Sequence, residues 1–142
     1  ALSWAFDCAL DDMPYAAVDD AFVYALCDDG YKVLEKENGT LVSNLTCADC
    51  SQAPIVFHDY VLAASKSKGL LFFDKQSRDL GAIVDFRDDA VGIIYHALAY
   101  HNGRVFVAYR ADQEGDSTIF IRRVALVTSS SSSKSNVVPS EV

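Results

Sequence analysis

Cys47-Ala48-Asp49-Cys50 is the first stretch of this chain whose residue types and spacing could do chemistry. Two thiols so placed can exchange a disulfide or supply half of a tetrahedral zinc site. Redox chemistry would want the first cysteine at a helix N-terminus, where the thiolate is stabilised, but the pair falls between two strand-rich segments. Zinc would want a second close pair, and the remaining cysteines, Cys8 and Cys27, stand far apart in the chain. The pattern reads as a structural disulfide or plain thiols, and all three connectivities of two disulfides stay open.

Carboxylates come next. Asp11-Asp12, Asp19-Asp20, Asp28-Asp29 and Asp88-Asp89 form doublets. Calcium takes about six to eight oxygens, and no doublet sits in a complete calcium-loop spacing. They read instead as turn aspartates that accept bonds from backbone N–H groups. His58, His96 and His101 are scattered, no serine lies in a G-x-S-x-G context, and no Gly-rich phosphate loop is present. The expectation is no catalytic set, no metal centre and no cofactor. Ser140-Glu141-Val142 fits the short C-terminal pattern that PDZ-type domains capture by strand addition.

The chain that must position these groups has 142 residues, enough for one domain, and 51% of them are hydrophobic, so a packed core is expected. A net charge of −8 and a pI near 4.6 exclude nucleic acid and anionic membrane as main partners, since no basic stripe is available to displace phosphate counterions. No apolar run approaches the ~20 residues needed to span a bilayer. The start, Ala1-Leu2-Ser3-Trp4, lacks an initiator methionine and a basic leader, and reads as processed or trimmed. Two glycosylation acceptor patterns, at Asn38 and Asn44, lie close together between cysteines that are even in number, and point to the secretory pathway or the extracellular space.

Internal similarity organises the rest. Setting Met13–Val42 beside Ala53–Val84 aligns Pro14 with Pro54, Asp19 with Asp59, Val23 with Val61, Gly30 with Gly69, Lys36 with Lys75 and Leu41 with Leu80. Each unit reads as four strands: Tyr15–Val18, Phe22–Leu26, Tyr31–Glu35 and Thr40–Leu45, then Ile55–Phe57, Tyr60–Ala64, Leu70–Asp74 and Gly81–Phe86. A third unit runs through Ala97–Tyr100, an Asn102-Gly103 hairpin turn, Val105–Arg110, a polar loop at Ala111–Ser117 and a long strand at Thr118–Val127. The competing local reading is a helix capped by Asp12-Met13-Pro14 with Tyr15, Val18, Phe22 and Leu26 on one face.

Four antiparallel strands recurring about every 40 residues is the pattern of a β-propeller blade. Within that class "FVYALCDDGYKVLEKENGTLV" and "YVLAASKSKGLLFFDKQSRDLGAIV" resemble the repeat of pyrroloquinoline-quinone-like propellers. The tryptophan that those families often place at the end of the last strand is absent, with Leu41-Val42 and Ile83-Val84 in its region and Trp4 the only tryptophan. The resemblance implies an all-β chain of about three four-stranded blades, a piece of a larger propeller. Residues 1–7 would be the last strand of a preceding blade, residues 8–46, 47–90 and 91–128 the blades, and residues 129–142 a serine-rich tail or linker.

Propellers hold about four to eight blades, so the resemblance also implies completion by another chain or a second copy. The expected function is a non-catalytic scaffold for protein or ligand recognition, with Asp19, Asp20, Asp28, Asp29, Asp112, Glu114 and Asp116 on its loops as contact residues. The alternatives are a fragment of a quinoprotein-like dehydrogenase, with quinone and calcium in the central channel, and a secreted or lumenal sensor or lectin-like propeller.

Overall fold

The structure is a computed structural model that describes residues 3–10, 14–85, 93–111, 115, 118–129 and 136–141. It contains twelve strands in chain order: β1 (Ala16–Val18), β2 (Phe22–Cys27), β3 (Gly30–Glu35), β4 (Leu41–Thr46), β5 (Ile55–Phe57), β6 (Tyr60–Ser65), β7 (Gly69–Asp74), β8 (Leu80–Val84), β9 (Ile93–His101), β10 (Arg104–Ala111), β11 (Phe120–Ser129) and β12 (Asn136–Glu141). They form three four-stranded sheets, each an antiparallel meander of consecutive strands. The helix reading of the segment after Pro14 gives way to β1 and β2. Two short β-rich runs separated by the Asp19-Asp20 turn pair with each other before any helical register can form, with Val18 opposite Val23.

The first two sheets share the bonds of their β3–β4 and β7–β8 turns. Lys36 N–H donates to the Ala21 carbonyl and Lys75 N–H to Asp59; Glu35 N–H donates to Thr40 and Asp74 N–H to Asp79. The ladder shifts register between Val33 and Leu34 in one sheet and between Phe72 and Phe73 in the other, positions 39 apart in the chain. The third sheet has longer strands. Its β9–β10 turn holds Asn102 at φ 49° and Gly103 at φ 76°, the paired positive values that an Asn-Gly hairpin requires.

One expectation for the chain ends is corrected. The segment expected as a serine-rich tail contributes β12, which pairs with β11 from Val124 opposite Glu141 to Ser129 opposite Asn136. Val137 and Val138 suit a ladder. The residues expected as a preceding blade's last strand join no sheet: Ser3 to Leu10 cross the outer face of the first sheet as a strap. Cys8–Cys27 is a disulfide, Asp28 N–H donates to the Ala9 carbonyl at 2.9 Å, and the Trp4 indole N–H donates to the Lys36 carbonyl at 2.8 Å. Those ties hold the strap over the face of the first sheet rather than along its edge.

The second sheet lies between the other two, and the period of two along each strand divides its side chains between neighbours. Val61, Ala63, Leu71 and Phe73 pack with Tyr24, Tyr31, Val33 and Leu45 of the first sheet. Leu62, Ala64, Leu70 and Phe72 pack with Tyr95, Val105, Val107, Tyr109 and Val124 of the third. Every residue of β6 is buried, which is why "YVLAAS" and "GLLFFD" are continuous apolar runs rather than alternating ones. By contrast β10, buried on one face, alternates exposed and buried from Arg104 to Tyr109.

Candidate functional site

The meander order gives the stack two rims. The turns β1–β2, β3–β4, β5–β6, β7–β8 and β9–β10 lie on one rim, here the near rim, and β2–β3, β6–β7 and β10–β11 on the far rim. The carboxylates expected as contact residues fall on both rims. Asp19 and Asp20 stand on the near rim and Asp28 and Asp29 on the far rim; Asp112, Glu114 and Asp116, like the Asp11-Asp12 and Asp88-Asp89 doublets, lie outside the described residues.

Asp19 is committed to the fold. Its carboxylate accepts from Ala21 N–H at 2.9 Å, Phe22 N–H at 2.7 Å and the Tyr24 hydroxyl at 3.0 Å, and pairs with Lys75 of the neighbouring sheet at 3.3 Å. Desolvation pushes its pKa up, but the bonds from Phe22, Ala21, Tyr24 and Lys75 outweigh it, and the group lies below the ordinary carboxylate value. Burial, and then Asp19, push the Tyr24 phenol far above its usual range. On the far rim Asp29 pairs with Lys32 at 3.0 Å, and that bond leads the causes that lower its pKa. Asp20, Asp28 and Asp29 are exposed.

The Cys-x-x-Cys segment lies on the far rim between β4 and β5. Cys47 and Cys50 form the second disulfide, so among the three open connectivities the chain adopts Cys8–Cys27 with Cys47–Cys50. Asp49 between them braces the β6–β7 turn: it accepts from the Ser65 hydroxyl at 2.7 Å, from Ser67 N–H at 2.8 Å and from the Ser67 hydroxyl. The sulfurs and the Asp49 carboxylate lie within 4.8 Å of one another, a donor set of metal-site size. As a disulfide, however, the sulfurs lack the thiolate charge that a metal requires.

Desolvation raises the pKa of Asp49, but the bonds from Ser67 and Ser65 prevail and lower it below 3.8. A carboxyl whose folded pKa is depressed contributes stability that is present above its unfolded pKa and lost as pH falls through the folded value. Asp49→Asn should therefore cost on the order of 1 kcal/mol at pH 7 and lose less stability than wild type on acidification below the ordinary Asp value, as read by urea unfolding at neutral and acid pH.

The histidines do not assemble. His58, at φ 46°, places Nε2 2.9 Å from the Tyr100 hydroxyl, and His101 Nε2 lies 3.1 Å from the Asn102 amide nitrogen. The side chain of His96 lies outside the described set. Asn38 and Asn44 are both exposed, in the β3–β4 turn and on edge strand β4, so a glycan would meet no steric barrier at either. The two disulfides fit an oxidising environment. Among the described residues no helix is long and apolar enough to cross a membrane.

What remains for recognition lies on the two outer faces of the stack. On the first sheet, Trp4, Phe6, Tyr15, Val23, Ala25 and Leu34 line an open groove of about 460 Å³ beside the strap. On the third sheet the outward row of β10 is Arg104, Phe106, Ala108 and Arg110, flanked by Ala97 and Ala99 of β9 and by Ile121 and Arg123 of β11. Ile121 is 74% exposed, and Phe106 also reaches solvent. Sequence reasoning missed this face, although the alternation in "RVFVAYR" marks it once β10 is known to be buried on one side only. In comparisons with known proteins, no family model matches the chain, and no curated protein matches it either.

Proposed function

We propose that the chain is a three-sheet segment of a β-propeller with pyrroloquinoline-quinone-like repeats. It serves as a non-catalytic recognition scaffold, and its stack is continued by further blades from another chain or copy. The observation that carries this reading is the outward face of the third sheet. Phe106, Ile121, Ala97 and Ala99 are apolar and exposed, whereas both faces of the second sheet are covered by a neighbour. A blade cannot bury its apolar face alone, and an apolar face left in water on a rigid scaffold calls for a partner. The shared turn bonds and register shifts of the first two sheets support the same reading, and the strap runs from near rim to far rim, as β4 and β8 do, where a preceding sheet would stack.

The two disulfides and the exposed Asn38 and Asn44 support passage through the secretory pathway. Native mass spectrometry of the protein isolated from its source tests the proposal. A species heavier than the 15.5 kDa chain by further polypeptide is expected, and a cooperatively folded 15.5 kDa monomer would overturn it.

A further inference from the structure

The charges of this acidic chain are not spread evenly. Between Asp7 and Asp49 the cations are Lys32 and Lys36, set against Asp19, Asp20, Asp28, Asp29, Glu35 and Glu37 among others. From Ile93 to Ser129 the balance shifts, with Arg104, Arg110, Arg122 and Arg123 against Asp112, Glu114 and Asp116, all three of them in the β10–β11 connection. Three of those arginines, Arg104, Arg110 and Arg123, surround the apolar centre of the outward face, near-rim, far-rim and β11 side respectively.

We infer that this face takes the first-sheet end of a second copy of the chain, head to tail; the inference rests on the open-stack reading above. The opposite end of the molecule has matching chemistry. Trp4, Phe6 and Tyr15 are exposed there, with Asp7 on the strap, Glu37 in the near-rim β3–β4 turn and Asp28 and Asp29 in the far-rim turn. The rims stay aligned through the stack. Lys75 of the second sheet bonds Asp19 of the first on the near rim, and Ile93 N–H donates to the Lys66 carbonyl on the far rim.

A copy that continues this alignment brings Glu37 to the near-rim Arg104. A symmetric pairing of two third-sheet faces would instead set arginines against arginines, and like charges facing across an interface oppose association. The contact is heterologous, so a second contact of the same kind closes a ring or extends a filament.

Sedimentation of the purified chain at low and high salt, with two surface variants, tests this. The wild type should associate with increasing concentration, and salt should weaken the association. Ile121→Glu blocks the basic face and Glu37→Lys blocks the acidic end. Each should raise the dissociation constant by about tenfold or more without changing the far-UV spectrum or the melting temperature. Mixed, the two variants should form a 1:1 dimer through the one intact interface they still share. A monomer at every concentration overturns the inference. So does association that Ile121→Glu abolishes while the acidic-end variant leaves it unchanged, because that pattern means a symmetric contact. A wild-type monomer in isolation whose source material is nevertheless heavier by another polypeptide sinks self-association alone and leaves the open-stack reading in place.

Discussion

Phe72→Ala should lower the unfolding free energy by about 3–5 kcal/mol, the range for emptying a buried aromatic site. Phe72 is fully buried on β7 and faces the third sheet, with its ring set edge-on to Phe57 at 6.5 Å and to Tyr60 at 6.4 Å. Removing it leaves a cavity in the contact between the second and third sheets. In a domain whose whole stability is about 5–15 kcal/mol, this is a large share. Urea unfolding monitored by tyrosine fluorescence and far-UV dichroism measures it. Phe106→Ala, on the outward face, is the control and should change the isolated chain by no more than about 0.5 kcal/mol. A loss at Phe72 as small as that at Phe106 would mean that the third sheet does not stack on the second.

Gly69→Ala should cost on the order of 3 kcal/mol, through the backbone rather than through packing. Gly69 opens β7 at φ +97°, where a Cβ would come within 2.3 Å of the Val84 carbonyl oxygen and 2.9 Å of Asp85 Cα. Both obstacles are main chain, so β8 itself must move. Gly30, its counterpart in the first sheet, has φ +136°, and a Cβ there would meet the Leu45 carbonyl oxygen at 2.1 Å. Gly30→Ala should match the loss at Gly69. Gly103→Ala separates strain from collision, because its φ is +76° but nothing lies within 4 Å of its Cβ position. There the cost should be only the backbone preference, about 1 kcal/mol. Thermal unfolding of the three variants ranks them, and equal losses at all three positions would show that the close approach of β4 and β8 is not made.

Gly30 and Gly69 also show how much could be read from the chain alone. They align in the repeat together with Lys36 and Lys75, and the strands bracketed by those landmarks appear where expected in the first two sheets. Local pattern was sufficient there, because turn residues and apolar runs act within one hairpin. It was insufficient at the ends. Val137 and Val138 follow a serine run that by composition belongs to a linker, and only the open edge of β11 turns them into a ladder. Ala5 and Phe6 have strand-like composition, but the Cys8–Cys27 disulfide and the Trp4 indole hold them over a sheet face.

The carboxylates expected on recognition loops were legible as turn residues. Their division between two rims was not, because a rim is a property of strand direction. By itself the sequence determined the all-β class, the repeat of about 39 residues, the positions of most strands and the pairs of glycines that shape them, since each depends on residues close in the chain. Tertiary structure alone decided which cysteines pair, that Asp19 serves the fold, which faces of the sheets are buried and that an arginine-framed apolar face is left in solvent. Those outcomes depend on which sheet stacks on which, and the period of two along a strand marks its two faces without saying what covers either.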